Sequence, residues 1–228
     1  IPATRKMAFL RYAEFHNVKD GKIVRSSFFC DIIGVMHQAG INPLPMQTGA
    51  SVIVPGPKTH DGIQITSQPE SESQKTMAVL NQMIADLDEL NHSGDDRYPP
   101  EVLERSWHSD MSWYGPAGIG STYTIRRYQE QHSYPFREAL KDKVYNGHIC
   151  RYADGDYACF FGWPNLTHTP TGGFLGLPGN DCRVDMRVVD VYRREGDKLA
   201  ENWVIIDLPW WLKQQGIDIL ERCKNIIS

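Results

Sequence analysis

Two segments of the chain, one near each end, share a single pattern of apolar and polar positions. Each has an apolar strand, a turn that contains glycine, and a second apolar strand that stops at an aspartate just before a helix. The turns KDGK (19–22) and EGDK (195–198) have the composition of β-hairpin turns. A glycine follows each helix, as is usual after a helix C-terminus. The predicted elements are strands at Met7–Val18, Ile23–Cys30, 182–194 and 198–207, and helices that stop at Gly40 and Gly216.

The two segments align without a gap. Residues 22–41 (KIVRSSFFCDIIGVMHQAGI) correspond to residues 198–217 (KLAENWVIIDLPWWLKQQGI), an offset of 176 positions. Matches at positions of demanding backbone geometry indicate an internal duplication. Identical residues fall at the turn, the strand end and the helix end: Lys22 and Lys198, Asp31 and Asp207, Gln38 and Gln214, Gly40 and Gly216, Ile41 and Ile217.

The residues ahead of the second copy complete one domain. Apolar positions at helical spacing predict a helix over 76–91. Helices followed by an antiparallel meander predict the α+β class, with the helices on one face of the sheet. The remaining predicted elements are a short helix at Pro99–Trp107, a strand at Met111–Tyr114, a helix at Thr122–His132 and strands at 143–152 and 157–164.

The first copy is only a hairpin and a helix, which bury too little surface to be stable alone. The predicted organisation is therefore a remnant of a first domain at 1–45, a linker at 46–75 and a complete domain at 76–228. The linker is rich in Gly, Pro, Ser and Thr and has one candidate strand, Ser51–Val54.

Composition narrows the classes of function. The 228 residues are 41% hydrophobic with a net charge of −4, so a nucleic-acid partner is disfavoured. The apolar runs are too short to predict a membrane span. Five scattered cysteines without a C-x-x-C pair are typical of reduced thiols, and we expect a cytoplasmic protein. No metal is expected, because the set His148, Cys150, Cys159 and His168 has no standard zinc spacing.

Three stretches carry a resemblance to a known family. They are WYGPAGIGSTYTIRRYQEQHSYPF (113–136), THTPTGGFLGLPG (167–179) and VVDVYRREGDKLAENWVIIDLPWWLKQQG (188–216). Together they resemble the SnoaL-like polyketide cyclases, which share the nuclear transport factor 2 fold. The third stretch is the most specific, since its turn, its carboxylate and its terminal Gln-x-Gly fall in register.

The resemblance implies a curved antiparallel sheet wrapped around helices, which together form a cone-shaped apolar pocket. Characterised SnoaL-like cyclases hold a polycyclic ketone there, and an aspartate at the end of the last strand acts as acid/base without metal or cofactor. The matching residue here is Asp207. The implied function is a cofactor-independent enzyme that acts by proton transfer on a carbonyl-bearing or cyclic apolar molecule, as a cyclase, isomerase or hydratase/dehydratase. The alternative is a non-catalytic ligand-binding or dimerisation module of the same fold.

Several of the remaining candidate site residues are predicted from the alternation of side chains along the last strand. Alternate residues of a strand share a face, so Glu201, Trp203, Ile205 and Asp207 point one way. A carboxyl group beside apolar surface has a raised pKa, which suits proton transfer. Candidate donors to an enolate are His168, His132, Tyr114, Trp113 and Trp203, and at most one of Asp185 and Asp190 faces the pocket.

Structural interpretations compete with these roles. An aspartate at a strand end, before a helix, is often only the N-cap, and this applies to Asp207 and to its counterpart Asp31. Glu201 would then pair with an arginine such as Arg187, and the two histidines would bind backbone in loops.

The hairpin near the start needs a partner for its strand edges and apolar side chains. The resemblance to SnoaL-like proteins implies that the outer sheet face is a dimer surface. We therefore expect residues 1–45 to dock at a domain or subunit contact, in a homodimer or an intrachain pseudo-dimer.

Overall fold

The secondary structure comes from a computed structural model, which describes residues 1–46, 49 and 53–227. Its strands, in chain order, are β1 (Tyr12–Lys19), β2 (Lys22–Cys30), β3 (Trp107–Tyr114), β4 (Ser121–Tyr123), β5 (Leu140–Tyr145), β6 (Cys150–Asp154), β7 (Tyr157–Phe161), β8 (Leu166–Pro170), β9 (Val184–Met186), β10 (Val188–Glu195) and β11 (Lys198–Ile206). Its helices are α1 (Ile32–Gln38), α2 (Glu70–Ser93), α3 (Pro100–Leu103), α4 (Ile125–Tyr128), α5 (Tyr134–Ala139), α6 (Leu208–Gln214) and α7 (Ile219–Ile227), with a π-helical turn at Gln129–Ser133 and a 3₁₀ turn at Phe174–Gly176.

The described strands form three sheets. The largest has the order β4-β3-β11-β10-β7-β6, the second has the order β5-β8-β9, and β1 pairs with β2. Neighbouring strands are antiparallel except β3 and β11, which run parallel. The predicted α+β class with a curved, open sheet and helices is confirmed. Among the described residues, no helix has the length and apolar character needed to cross a membrane.

Helix α2 covers the six-stranded sheet near β6 and β7. Its buried face carries Leu80 and Met83, both almost without solvent contact, and burial of such a side chain stabilises the fold by about 1.5–3 kcal/mol. Thr76 on the same face donates a hydrogen bond to the carbonyl of Gly155, at 2.6 Å, in the turn between β6 and β7. Helix and sheet therefore make one core, in line with the predicted packing on one sheet face.

The two related segments have the same strand register. Tyr12 pairs with Cys30, and Val188 pairs with Ile206, which is the same pair at the offset of 176. Both hairpins have an irregularity at equivalent places, between 17 and 18 and between 193 and 194. The internal duplication stays a prediction, and these agreements support it.

An equivalent glutamine in each copy makes the same side-chain hydrogen bonds to the backbone. Gln38 accepts a hydrogen bond from the backbone N–H of Phe9 at 2.7 Å and donates one to the carbonyl of Gly34 at 3.0 Å. Gln214 accepts from the N–H of Asp185 at 2.9 Å and donates to the carbonyl of Trp210 at 3.3 Å. The side chain thus joins the residues just before each hairpin to the helix that follows the hairpin.

The first hairpin lies on the outer face of the six-stranded sheet. Phe29 packs against Phe161, Val189 and Ile205 in a small apolar cluster, and Phe15 contacts the same Phe161 ring with centroids 4.6 Å apart. This surface is where we expected residues 1–45 to dock. The homodimer and the division into domains stay predictions.

Several predicted boundaries differ from the structure. The helix expected at Thr122–His132 begins later, since Thr124 accepts a hydrogen bond from the N–H of Arg127 and so caps α4. The strand expected at 182–194 is divided at Arg187 into β9 and β10, which belong to different sheets. The candidate strand Ser51–Val54 falls partly outside the described residues, and Ile53 and Val54 are not in a strand.

Candidate functional site

A cavity of about 720 Å³ lies between the helices and the inner face of the six-stranded sheet. Its wall is largely apolar. Strands and helices contribute Met83, Leu87, Leu103, Trp107, Trp113, Phe136, Phe160, Met186, Val188, Val204 and Ile206. Polar side chains on the wall include Tyr128, His132, Arg137, Lys143, His148, Arg151, Asp190, Tyr192 and Asn202.

The inner face of β11 is opposite to the one expected. The cavity is lined by Asn202, Val204 and Ile206, so the prediction that Glu201, Trp203, Ile205 and Asp207 face it is wrong. Both sides of β11 are covered, the inner by the core and the outer by the first hairpin and the linker. Both sides are therefore apolar, and alternation along the strand does not reveal which one faces the cavity.

Asp190 is the buried carboxylate of the cavity. It lies on the inner face of β10, only 8% exposed. Asn202 Nδ2 donates to its Oδ1 at 3.3 Å, and the nearby Tyr192 hydroxyl also favours the charged form. Desolvation outweighs both effects and raises the pKa of Asp190 from 3.8 to about 7. Such a group is present in both charge states at neutral pH.

Two phenols stand near this carboxylate. Tyr192 and Tyr128 both line the cavity. Burial, and secondarily the neighbouring negative charge and phenol, raise the pKa of each well above 10. Both hydroxyls therefore keep their protons at neutral pH and serve as hydrogen-bond donors.

His132 lies on the cavity wall in the π-helical turn between α4 and α5. Its ring stacks on Trp113 with centroids 4.3 Å apart, and its Nδ1 is out of solvent without a partner among the described residues. Desolvation lowers the pKa of His132 to about 3, so the ring is neutral. A neutral imidazole with an unpaired nitrogen can accept or donate one hydrogen bond to a ligand. The predicted residues Trp113, His132 and Asp190 thus meet in one cavity.

Asp207 lies outside the residues that line this cavity. Its Oδ1 accepts the backbone N–H of Trp210 at 3.3 Å, which caps α6, and its Oδ2 accepts from Arg187 Nη1 at 3.3 Å. Arg187 in turn lies over the ring of Trp210, 3.4 Å from its centroid. These contacts are those of the capping interpretation, and its counterpart Asp31 caps α1 through the N–H of Gly34 at 3.1 Å.

Glu201, Trp203 and Tyr114 lie on the outer face of the sheet. Glu201 has no exposed surface and forms an ion pair with Arg193, instead of the expected Arg187, while the N–H of Lys58 donates to it at 3.2 Å. Trp203 Nε1 donates to the carbonyl of Pro55 at 2.9 Å, and the Tyr114 ring stacks on Trp203. The linker residues therefore cover this set, which is absent from the cavity wall.

His168 is fully buried and belongs to the packing of α6. Its Nε2 accepts a hydrogen bond from Trp211 Nε1 at 2.8 Å, so in the neutral ring the proton is on Nδ1. That Nδ1 has no partner among the described residues. Desolvation, with the charge of Lys143, lowers the pKa of His168 to about 4. His168 does not line the cavity.

The sequence did not reveal Asn202, Tyr128, Tyr192, Arg137 or Lys143 as parts of the site. Asn202 and Tyr192 were missed because the sequence did not show which face of β10 and β11 lines the cavity. For the others, no short motif marks the residue. Among the described residues, no group of three His, Cys, Asp or Glu side chains could hold a metal ion.

Comparison with known proteins supports the fold. Residues 149–215 match the model of the SnoaL-like polyketide cyclase family, and no curated protein matches the chain. A SnoaL-like protein from Jannaschia sp. CCS1 is 13% identical, with a TM-score of 0.52 over 68% of this chain and 98% of its own. A SnoaL-like protein from Shewanella denitrificans OS-217 is 15% identical, with a TM-score of 0.50 over 62% of this chain and 96% of its own. The chain is thus similar to SnoaL-like proteins in fold and in the sequence of β6 to α6.

Proposed function

We propose that the cavity is the active site of a cofactor-independent enzyme that moves a proton on a carbonyl-bearing or cyclic apolar small molecule. The observation that carries this proposal is Asp190, a carboxyl group with a pKa near 7 on the wall of an apolar cavity of about 720 Å³. A general acid/base works best when its pKa is near the working pH. The similarity to SnoaL-like cyclases supports a cyclase or isomerase type of reaction.

The first step is removal of a proton from a carbon next to a carbonyl group. The charged form of Asp190 accepts this proton, and the electron pair of the C–H bond moves to the carbonyl oxygen as an enolate. The phenol of Tyr128, or the N–H of neutral His132, donates a hydrogen bond to that oxygen. In the apolar cavity, hydrogen bonds from these donors stabilise the enolate more strongly than they would in water.

The second step returns the proton. In an isomerase, Asp190 protonates another carbon of the conjugated system. In a cyclase, the enolate carbon attacks a second carbonyl, whose oxygen takes the proton. In a dehydratase, the proton leaves with the departing hydroxyl as water. Each variant restores Asp190 to its starting state, so no other reactant is needed.

The test is enzyme-dependent exchange of α-protons for deuterium in a panel of cyclic and aryl ketones, including 2-tetralone and 2-acetylanthracene, followed by NMR in D₂O. Asp190→Asn should lower the exchange rate by roughly 100-fold or more, the usual contribution of a general base. Asp207→Asn is the matched variant, because the sequence pattern favoured Asp207 as the acid/base. Loss of exchange in Asp207→Asn with retention in Asp190→Asn would reject our assignment. Binding of ketones without exchange would favour the non-catalytic binding module.

A further inference from the structure

Three cationic side chains on the cavity wall donate hydrogen bonds only to neutral groups among the described residues. Arg137 is 6% exposed. It donates to Asn91 Oδ1 at 3.0 Å and to the carbonyls of Leu90 and Asp95 at 2.5 and 3.1 Å. Its Nε is buried and has no partner among the described residues. A cation in such surroundings is costly unless a charge compensates it.

The other two cations lie closer to solvent. Lys143 is half-buried, and its Nζ donates to the carbonyl of Arg137 at 3.3 Å. Burial, with the charge of Arg137, lowers the pKa of Lys143 to about 8, while the carboxylates of Asp96 and Asp142 act in the opposite direction. Lys143 therefore keeps its charge at pH 7. Arg151, on β6, is exposed and donates to Asn81 Oδ1 at 2.8 Å and to the Tyr145 hydroxyl at 3.3 Å.

Other buried arginines of the described chain are compensated in different ways. Arg193 pairs with Glu201 and Glu195, and Arg194 with Glu72 and Asp156. Arg11 is satisfied by three backbone carbonyls. Arg187 also has a buried Nε without a partner among the described residues, but its Nη1 is paired with Asp207 at 3.3 Å. Arg137 combines an unpaired buried Nε with the absence of any described ion pair.

Among the described residues, the acidic groups that line the cavity are fewer than these cations. They are Asp88, which is exposed, and Asp190, which is buried. One part of the cavity wall is therefore cationic, from buried Arg137 to exposed Arg151, while another part is apolar and carries the acid/base. A ligand that fits both parts has an anionic end and an apolar, ring-bearing body.

We propose that the substrate carries an acidic group, a carboxylate or an anion of similar size, which binds to Arg137 and Lys143 while the ring system lies against Asp190. Arg151 attracts the same anion from its exposed position on β6. Placement of the reacting carbon near Asp190 rests on the proposed function, whereas anion binding by the two cations does not depend on any reaction.

Two fluorescent probes of equal shape test the proposal: 2-anthracenecarboxylate, which has the anion, and 2-acetylanthracene, which has a neutral ketone in its place. The wild-type protein should bind the carboxylate about tenfold or more tightly, as expected of hydrogen bonds to a charged group. The two probes should compete. Lys143→Gln should remove roughly a factor of ten from the carboxylate affinity and leave that of the ketone within twofold.

Lys213→Gln is the control, because Lys213 is exposed, is paired with Asp218 at 3.2 Å and is absent from the cavity wall. It should change neither affinity. Arg151→Gln, at an exposed position, gives a second test that does not endanger folding. Equal binding of the two probes by wild type, or equal losses in Lys143→Gln and Lys213→Gln, would overturn the proposal.

The outcome is separable from that of the proposed function. Asp190→Asn should keep or strengthen carboxylate binding, because a negative charge is removed from the wall. Selective carboxylate binding together with unchanged exchange in Asp190→Asn would uphold the anion site and reject the acid/base role. Loss of exchange in Asp190→Asn with no carboxylate selectivity in the wild type would uphold the acid/base role and reject the anion site.

Discussion

Replacement of Asp190 by asparagine should make the protein more stable at alkaline pH and leave its stability near pH 4 little changed. Asparagine has the same shape and can still accept the hydrogen bond of Asn202, which lies 3.3 Å from Oδ1. It cannot ionise. The substitution therefore removes one buried negative charge and little else, and its effect must follow the titration of Asp190.

The size of the effect follows from the raised pKa. The folded protein holds the proton up to a pH of about 7, whereas the unfolded chain releases it near 3.8. The stability contributed by neutral Asp190 is complete below pH 3.8, falls as the pH rises, and is lost once the pH passes 7. At about 1.36 kcal/mol per pH unit, the total difference is about 4 kcal/mol.

The assay is urea denaturation of wild type and Asp190→Asn at intervals between pH 4 and pH 8.5. The difference in free energy of unfolding should grow with pH and level off above 7. Asp61→Asn is a control of opposite sign. Hydrogen bonds from Thr59 and Tyr157 lower the pKa of Asp61, so its charged form stabilises the fold and its replacement should weaken the protein at neutral pH. A difference for Asp190→Asn that is constant over this range would refute the buried, uncompensated carboxylate.

Two further predictions concern contacts outside the cavity. Asp207→Ala should lower the free energy of unfolding by about 1 kcal/mol through loss of the α6 cap, and leave the affinity for 2-acetylanthracene unchanged; a weakened affinity at full stability would contradict this. Phe29→Ala should lower the free energy of unfolding by about 3 kcal/mol, because its ring is 4% exposed and packed on Phe161. Amide hydrogens of β1 and β2 should then exchange faster than those of β10 and β11, and equal acceleration of all four strands would show that the hairpin is not a separate unit.

The sequence predicted features that depend on local geometry. The turn at Asp20-Gly21, the end of the helix at Gly40 and the equivalents in the second copy follow from backbone conformations that few residues adopt, since Gly21 and Gly40 have positive φ. These local signals do not depend on tertiary contacts. They were sufficient to predict the α+β class and the two related hairpins.

The orientation of β11 depends on tertiary contacts and was not predictable in this way. Trp203 and Ile205 are as apolar as Val204 and Ile206. The linker at Pro55 and the ring of Phe29 cover the outer face, so neither face of β11 is polar enough to be recognised as the exposed one. Whether Asp190 or Asp207 is the candidate acid/base depended on which alternate residues of β11 face the cavity. A sheet covered on both faces removes the alternation on which the inference rests.

The π-helical turn at Gln129–Ser133 restricts how this region can change in length. Tyr128, His132 and Phe136 all reach the cavity at a spacing of four residues. On an uninterrupted α-helix such a series drifts around the axis by about 40° at each step, and the wider turn takes up part of that drift. Insertion or deletion of one residue in this region would therefore rotate the side chains that follow it by about 100° and turn them away from the cavity.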